Sequence, residues 1–179
     1  LARVLMLDAR FIGRDRQLDF RAFYNRLGEA GADAQALLEQ FRREELDNPA
    51  RSLLGAAQEQ WINAQLDESK QRGHTWQVFG QQVILGEQRF GPGLERLLPA
   101  SASRGSQEWI ARNQRLAELG LSWNQDGWAG YGAARARFLD TCADRANNAL
   151  VLAGDSHNCF VSNVPASAAG RLAAIEFAG

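Results

Sequence analysis

The chain has 179 residues, of which 45% are hydrophobic and 23% charged, and its formal net charge is -1. This composition is typical of a globular domain with one sizeable core, and 20 basic against 21 acidic residues leave no excess charge for non-specific nucleic-acid binding. The sequence contains no run of roughly eighteen apolar residues, the pattern that predicts a membrane-spanning helix. Because the chain opens at Leu1 in an apolar run and ends on a strand-like segment, we expect an internal fragment of a longer protein.

Strand and helix patterns alternate along the chain. The strands are short apolar runs rich in β-branched and aromatic residues, and the helices carry apolar residues at steps of three and four. The patterns predict a strand at 3–10, a helix at 20–46 broken near 28–31, a helix from the N-cap Ser52 to Gly73, a strand at 75–85, a long loop at 86–105, a helix after Ser106, a helix at 133–145, a strand at 148–153 and a possible strand near 172–177. This order predicts a layered α/β domain or part of one.

The five tryptophans fall into two groups. Trp61, Trp76 and Trp109 lie on apolar faces of predicted elements, so we expect them in the core. Trp123 and Trp128 have Asn, Gln, Asp and Gly as neighbours, a setting equally typical of a pocket wall and of packing against a loop.

The apolar run that stops at Gly154-Asp155-Ser156-His157 is the segment most typical of a functional site. Ligands of open α/β sheets bind beyond the carboxyl ends of the strands, so Asp155 and His157 are expected at that edge. If the chain stays extended there, the two side chains point to the same side. A carboxylate and an imidazole together suit a borderline metal ion.

Two ligands do not complete a metal centre, because a catalytic zinc-like site needs about three protein ligands and a two-metal site needs more. The other histidine, His74, follows a predicted helix end, where a structural role is expected. Cys142 and Cys159 show no Cys-x-x-Cys spacing. Three explanations stay open: Asp155 and His157 are not ligands, their partners are acids, amides and tyrosines, or the chain is incomplete.

Five ordered segments of the chain carry a family resemblance. They are residues 5–10, 54–61, 76–83, 126–131 and 154–157. In order and rough spacing they resemble the later part of the catalytic domain of the alkaline phosphatase D (PhoD-like) family of metallophosphoesterases. The resemblance implies an α/β fold in which residues 1–179 are a single-domain fragment of a layered sandwich, with sheets flanked by helices.

The resemblance also implies residue roles at a multi-metal centre, usually of iron and calcium, that hydrolyses phosphate mono- and diesters. Asp155 and His157 match the late pair of metal-binding positions and are the implied catalytic residues, whereas the family's earlier ligands have no counterpart here. Asp155 suits either ion and His157 only the iron-like one. Asp126 is implied in calcium binding and Trp128 in lining the substrate pocket.

Arg10 stands at the end of the first predicted strand. Its guanidinium is expected to contact the substrate phosphate as a charge-assisted donor, and an ion pair with Asp8 is the alternative.

Two functions follow from these observations. The first is a metal-dependent phosphoric ester hydrolase that acts on small phosphoesters and, by family resemblance, resides in the periplasm or outside the cell. The second is a non-catalytic α/β module or inactive fragment, because the earlier metal ligands are missing. A nucleotide-binding domain is disfavoured, since no Gly-x-Gly-x-x-Gly or Walker loop follows a predicted strand.

Overall fold

The computed structural model describes residues 1–167 and 170–179. Its strands are β1 (Ala2–Met6), β2 (Trp76–Gln81), β3 (Ala149–Ala153), β4 (Phe160–Pro165) and β5 (Leu172–Ala178), and its α-helices are α1 (Phe20–Glu29), α2 (Ala34–Phe41), α3 (Gly55–Gln71), α4 (Arg104–Glu118) and α5 (Gly132–Arg145). The fold is α/β, as the sequence predicts. None of the described helices combines the length and hydropathy that a membrane crossing requires.

The five strands form one mixed sheet in the order β1-β2-β3-β5-β4. β1, β2, β3 and β5 run parallel, and β4 pairs antiparallel with β5 at the edge. The carboxyl ends of the four parallel strands therefore meet at one edge of the sheet. The loops that leave β1, β2 and β3 at that edge carry most of the candidate site residues.

β4 was not predicted from the sequence. It is an edge strand whose side chains are mostly exposed, and it ends on Pro165. Such a strand shows neither a continuous apolar run nor a clean alternation, and proline is tolerated because an edge strand needs fewer ladder hydrogen bonds.

Two predicted strands are shorter than expected, and after the first of them side-chain hydrogen bonds turn the backbone away from the sheet. The strand predicted at 3–10 ends at Met6, and the Asp8 carboxylate then accepts the backbone N–H groups of Arg10, Phe11 and Ile12, which turns the chain. These hydrogen bonds lower the pKa of Asp8, and the bond from Arg10 contributes most. The strand predicted at 75–85 ends at Gln81.

The helix boundaries agree more closely with the patterns. The expected break in the first helical stretch separates α1 from α2. The prediction of Ser52 as the N-cap of α3 is wrong by two residues, because Leu54 occupies that position, although the Ser52 hydroxyl accepts the backbone N–H of Gly55 at 2.8 Å. α4 begins slightly before the predicted position, with Ser103 as the N-cap residue.

One face of the sheet packs against α3 and α5. Buried residues of this core include Leu5, Phe79 and Val151 from the strands, Ile62 and Leu66 from α3, and Phe138 and Leu139 from α5. A second cluster joins α1, α2 and α4 through residues such as Phe23, Phe41 and Leu116. On the opposite face of the sheet, the described residues leave Val4, Met6, Leu152 and Phe177 exposed.

The prediction that three tryptophans belong to the core is wrong. Trp61, Trp76 and Trp109 are 41%, 48% and 43% exposed. Periodicity identifies an apolar stripe, but it does not reveal whether another element covers that stripe. Trp109 instead packs edge-on against Phe90 and Trp123 at the surface.

Candidate active site

Four segments meet at the carboxyl edge of the sheet and enclose a pocket of about 40 Å³. Its walls come from Arg10 after β1, from residues within 82–88 after β2 and within 122–129 before α5, and from residues 154–156 after β3. The pocket wall is mostly polar, with one arginine, two aspartates and several amide and hydroxyl groups. It lies where ligands of parallel sheets bind.

Arg10 bridges two aspartates across this pocket. Its Nη1 donates to Oδ2 of Asp126, and its Nη2 donates to Oδ2 of Asp155 at 2.9 Å. The alternative of an Asp8–Arg10 ion pair is wrong, because only the backbone N–H of Arg10 contacts the Asp8 carboxylate. The structure therefore brings Arg10 together with two acids that lie more than a hundred positions further along the sequence.

A second arginine, Arg14, also donates hydrogen bonds to Asp126. Nη2 of Arg14 donates to Oδ1 of Asp126 at 2.6 Å and to its backbone carbonyl at 2.8 Å. Burial raises the pKa of Asp126, but the hydrogen bonds and charges of Arg10 and Arg14 outweigh that effect, so the net shift is downward. The Asp126 carboxylate is thus held in its charged form between two guanidinium groups.

The chain beyond β3 is not extended, contrary to the expectation from the sequence. Asp155 and His157 both adopt left-handed backbone conformations, with φ of 61° and 56°. Such values are uncommon for residues other than glycine and are frequent at functional sites. The turn nevertheless brings Nε2 of His157 within 3.8 Å of Oδ1 of Asp155, and both side chains are largely exposed.

The donor atoms of the described residues do not make up a metal site by themselves. Within residues 1–167 and 170–179, no group of three or more His, Cys, Asp and Glu side chains is arranged to hold an ion. Asp155 and His157 supply an oxygen and a nitrogen on the exposed side of the turn, a pair that fits an iron-like ion. Asp126 fits poorly, because two cationic side chains already occupy its oxygens.

The two cysteines are free thiols in different environments. Cys142 is buried in the core, and burial raises the pKa of its thiol far above the ordinary value. Cys159 is exposed. The two cysteines therefore form no disulfide with each other.

Trp128 lies behind the pocket wall and does not form part of its surface. The side chain is buried, its indole N–H donates to Oε1 of Gln81 at 2.8 Å, and its ring stacks on Phe138. Its neighbours Gly127 and Ala129 line the pocket instead. The burial of Trp128 gives no support to the prediction of direct substrate contact.

Two glutamines that sequence reasoning did not select hold the segment after β1. The amide of Gln82 accepts the N–H of Ala9 at 2.8 Å and donates to the carbonyl of Leu7 at 3.0 Å. Gln58 makes the same pair of hydrogen bonds to the backbone of Asp8. Each side-chain amide takes the place of a neighbouring strand, and together they fix the path that leads to Arg10.

A buried acid, Glu176, fixes the loop after β2. Its carboxylate accepts the backbone N–H groups of Leu85 and Gly86 at 2.6 and 2.8 Å. Burial raises the pKa of Glu176, and the two backbone bonds and the charge of Arg135 offset only part of that effect. The sequence signal was an acid inside an apolar strand, which by itself does not reveal the partner.

The sequence profile described as PhoD-like phosphatase matches residues 1–179, so the chain belongs to the PhoD-like phosphatase family. The resemblance inferred from the five ordered segments is thereby confirmed.

A curated relative supports the same family. Alkaline phosphatase D of Bacillus subtilis (strain 168) is 29% identical to the chain over 122 residues, which amount to 68% of this chain and 16% of that protein. The match thus spans a small part of the relative's length. No solved structure matches the chain.

Proposed function

We propose that the protein containing this chain hydrolyses phosphate mono- or diesters with the help of iron and calcium ions, and that residues 1–179 are the later part of its catalytic domain. The observation that carries the proposal is the convergence of Arg10 and Asp155 at one polar pocket, with His157 Nε2 3.8 Å from the Asp155 carboxylate on the adjoining turn. Family membership supports the reaction class. The metal identities rest on the resemblance alone.

Asp155 and His157 are the proposed metal ligands of this chain. Their donor atoms lie 3.8 Å apart on an exposed turn, which allows one ion to contact both after a small rotation of either side chain. When bound, such cations lower the pKa of a coordinated water and neutralise charge on the phosphate and on the leaving oxygen. Asp126 belongs to the proposed site, but its hydrogen bonds to Arg10 and Arg14 argue against a role as a metal ligand.

Arg10 is the proposed substrate contact. Two carboxylates fix its guanidinium, while its side chain stays 27% exposed at the pocket wall. A planar guanidinium offers several N–H donors in a fixed geometry that matches phosphate oxygens. Arg10 would therefore bind and orient the phosphoester without first having to order itself.

The alternative function, a non-catalytic or inactive module, applies most directly to the 179-residue polypeptide when it is separated from the rest of its protein. The specific observation in its favour is that the described residues supply no complete metal site. We therefore assign turnover to the full-length gene product. We propose a small phosphoester as its substrate and the periplasm or the cell exterior as its location, while the charge balance gives no support to a nucleic-acid partner.

The test is elemental analysis together with hydrolysis of p-nitrophenyl phosphate and bis-p-nitrophenyl phosphate by the full-length protein. Asp155→Asn and His157→Ala are expected to lose bound metal and turnover together. Asp67→Asn and His74→Ala are matched controls, because both residues lie away from the pocket. A wild-type protein without metal, or variants that hydrolyse both esters normally, would show that Asp155 and His157 are structural.

A further inference from the structure

Arg10 and Arg14 share Asp126 but have different surroundings. Arg10 lines the pocket and is 27% exposed, whereas Arg14 does not line it and is 11% exposed. Among the described residues, the Arg10 side chain donates two hydrogen bonds, so the other three of its five N–H groups are available to a ligand. The outer arginine is therefore available to an anion, and the inner one is not.

Protein acceptors surround the guanidinium of Arg14. Besides the two bonds to Asp126, its Nε donates to the hydroxyl of Tyr131 at 3.2 Å, and its Nη1 lies 3.4 Å from the carbonyl of Ala9. The Tyr131 hydroxyl in turn donates to the carbonyl of Asp15 at 2.7 Å. Each donor in this series of hydrogen bonds meets an acceptor. Asp126 on one side and Tyr131 on the other therefore fix the orientation of the Arg14 guanidinium.

The hydrogen bonds continue from Arg14 to the pocket. Oδ1 of Asp126 is held by Arg14, and its Oδ2 accepts from Arg10, whose other terminal nitrogen reaches Asp155. Each carboxylate oxygen of Asp126 thus has one arginine. Without Arg14, the Asp126 side chain would lose the contact that sets its rotation, and Arg10 would lose the fixed orientation of its anchor.

We propose that Arg14 is a positioning residue for phosphate binding: it orients Asp126, and Asp126 holds Arg10 where its open N–H donors meet a phosphate oxygen. In this arrangement Asp126 is an anchor for two arginines and does not bind metal. The choice of phosphate as the anion rests on the proposed function, but the geometric relationship between the two arginines does not depend on turnover.

The experiment measures binding of inorganic phosphate to the full-length protein by isothermal titration calorimetry, and the KM and kcat for p-nitrophenyl phosphate in parallel. The variants are Arg10→Met, Arg14→Lys, the double variant and Tyr131→Phe. Arg51→Lys is the matched control: Arg51 is similarly buried and its guanidinium carbon lies 4.7 Å from the centre of the Tyr131 ring, but its hydrogen bonds go to Arg16, Glu45 and Gly130.

Arg10→Met is expected to weaken phosphate binding by on the order of tenfold, as for the loss of one charge-assisted hydrogen bond. Arg14→Lys should weaken it several-fold and raise KM more than it lowers kcat, because lysine keeps the charge but loses the planar fork. The double variant should bind no more weakly than Arg10→Met, since Arg14 acts only through Arg10. Arg51→Lys should bind like the wild type.

Several results would overturn the proposal. Multiplicative losses in the double variant would show that Arg14 acts independently of Arg10, and a lowered thermal midpoint with unchanged phosphate affinity would show a purely structural role. Tyr131→Phe keeps the ring and removes one acceptor of Arg14, so it tests the same contact if Arg14→Lys does not fold. It too should weaken phosphate binding.

A wild-type protein that does not bind phosphate would also overturn the proposal. A wild-type protein that binds phosphate but hydrolyses no ester would contradict only the proposed function.

Discussion

Glu176 and Leu85 are joined by a hydrogen bond of 2.6 Å between a fully buried carboxylate on β5 and a backbone N–H group in the loop after β2. The second oxygen of the same carboxylate accepts the N–H of Gly86, which lines the pocket. The last strand of the sheet thus fixes a wall of the candidate site. β3 lies between the two elements that this contact joins.

Replacing Glu176 by Gln should destabilise the protein by about 1–3 kcal/mol, because one backbone N–H would then face an amide NH₂ and lose its acceptor. The free energy of unfolding in urea measures the change. Glu108→Gln is the control, since Glu108 is exposed on α4. Equal stability of the two variants would show that water replaces the lost acceptor.

The pH dependence of stability should change when Asp126 is replaced by Asn. The pKa of Asp126 is lowered from its ordinary value of 3.8, so its contribution to stability is fully present above that value and is lost as the pH falls through the lowered pKa. The wild type should therefore be more stable than Asp126→Asn at pH 7, and the difference should shrink as the pH falls below 3.8.

Urea unfolding midpoints of both proteins, taken from pH 7 down to the lowest pH at which they fold, measure this difference. Asp144→Asn serves as a control, because Asp144 forms an exposed ion pair with Arg171. A difference between wild type and Asp126→Asn that stays constant across this range would contradict the prediction.

Gly130→Ala should be strongly destabilising. A Cβ atom at this position would lie 2.0 Å from the backbone carbonyl oxygen of Gln125, and backbone cannot move aside as a flexible side chain can. Overpacking of this kind costs about 1–3 kcal/mol or more. Thermal unfolding should show a clearly lower midpoint temperature for Gly130→Ala. The control is Gly91→Ala, where a Cβ meets nothing within 4 Å, and it should unfold at the same temperature as the wild type.

The edge of the sheet that carries the site could be predicted from the sequence, because an apolar run that stops at Asp155 and His157 indicates a strand end. The backbone turn there could not, since left-handed conformations at non-glycine residues depend on their surroundings. Arg10 was expected near phosphate and does lie at the pocket wall.

The hydrogen-bonded network behind the pocket had no sequence signal. Arg14 and Asp126 are 112 positions apart, and a pattern of residue types does not reveal which of 20 basic residues reaches a given acid. β4 escaped prediction because both its faces are partly exposed. The burial of a residue depends on whether another element packs over it, and the residue's own segment does not show this. The exposed Trp61 and Trp76 illustrate the same limit on sequence-based prediction.

The contrast between the two thiols has a practical consequence for spectroscopy. Cys142 is buried and its raised pKa suppresses the reactive thiolate, so a maleimide dye should attach to the exposed Cys159. That attachment point lies two residues beyond His157. Among the described residues, the native sequence thus offers a labelling position beside the candidate site, from which a fluorophore can report binding events without an introduced cysteine.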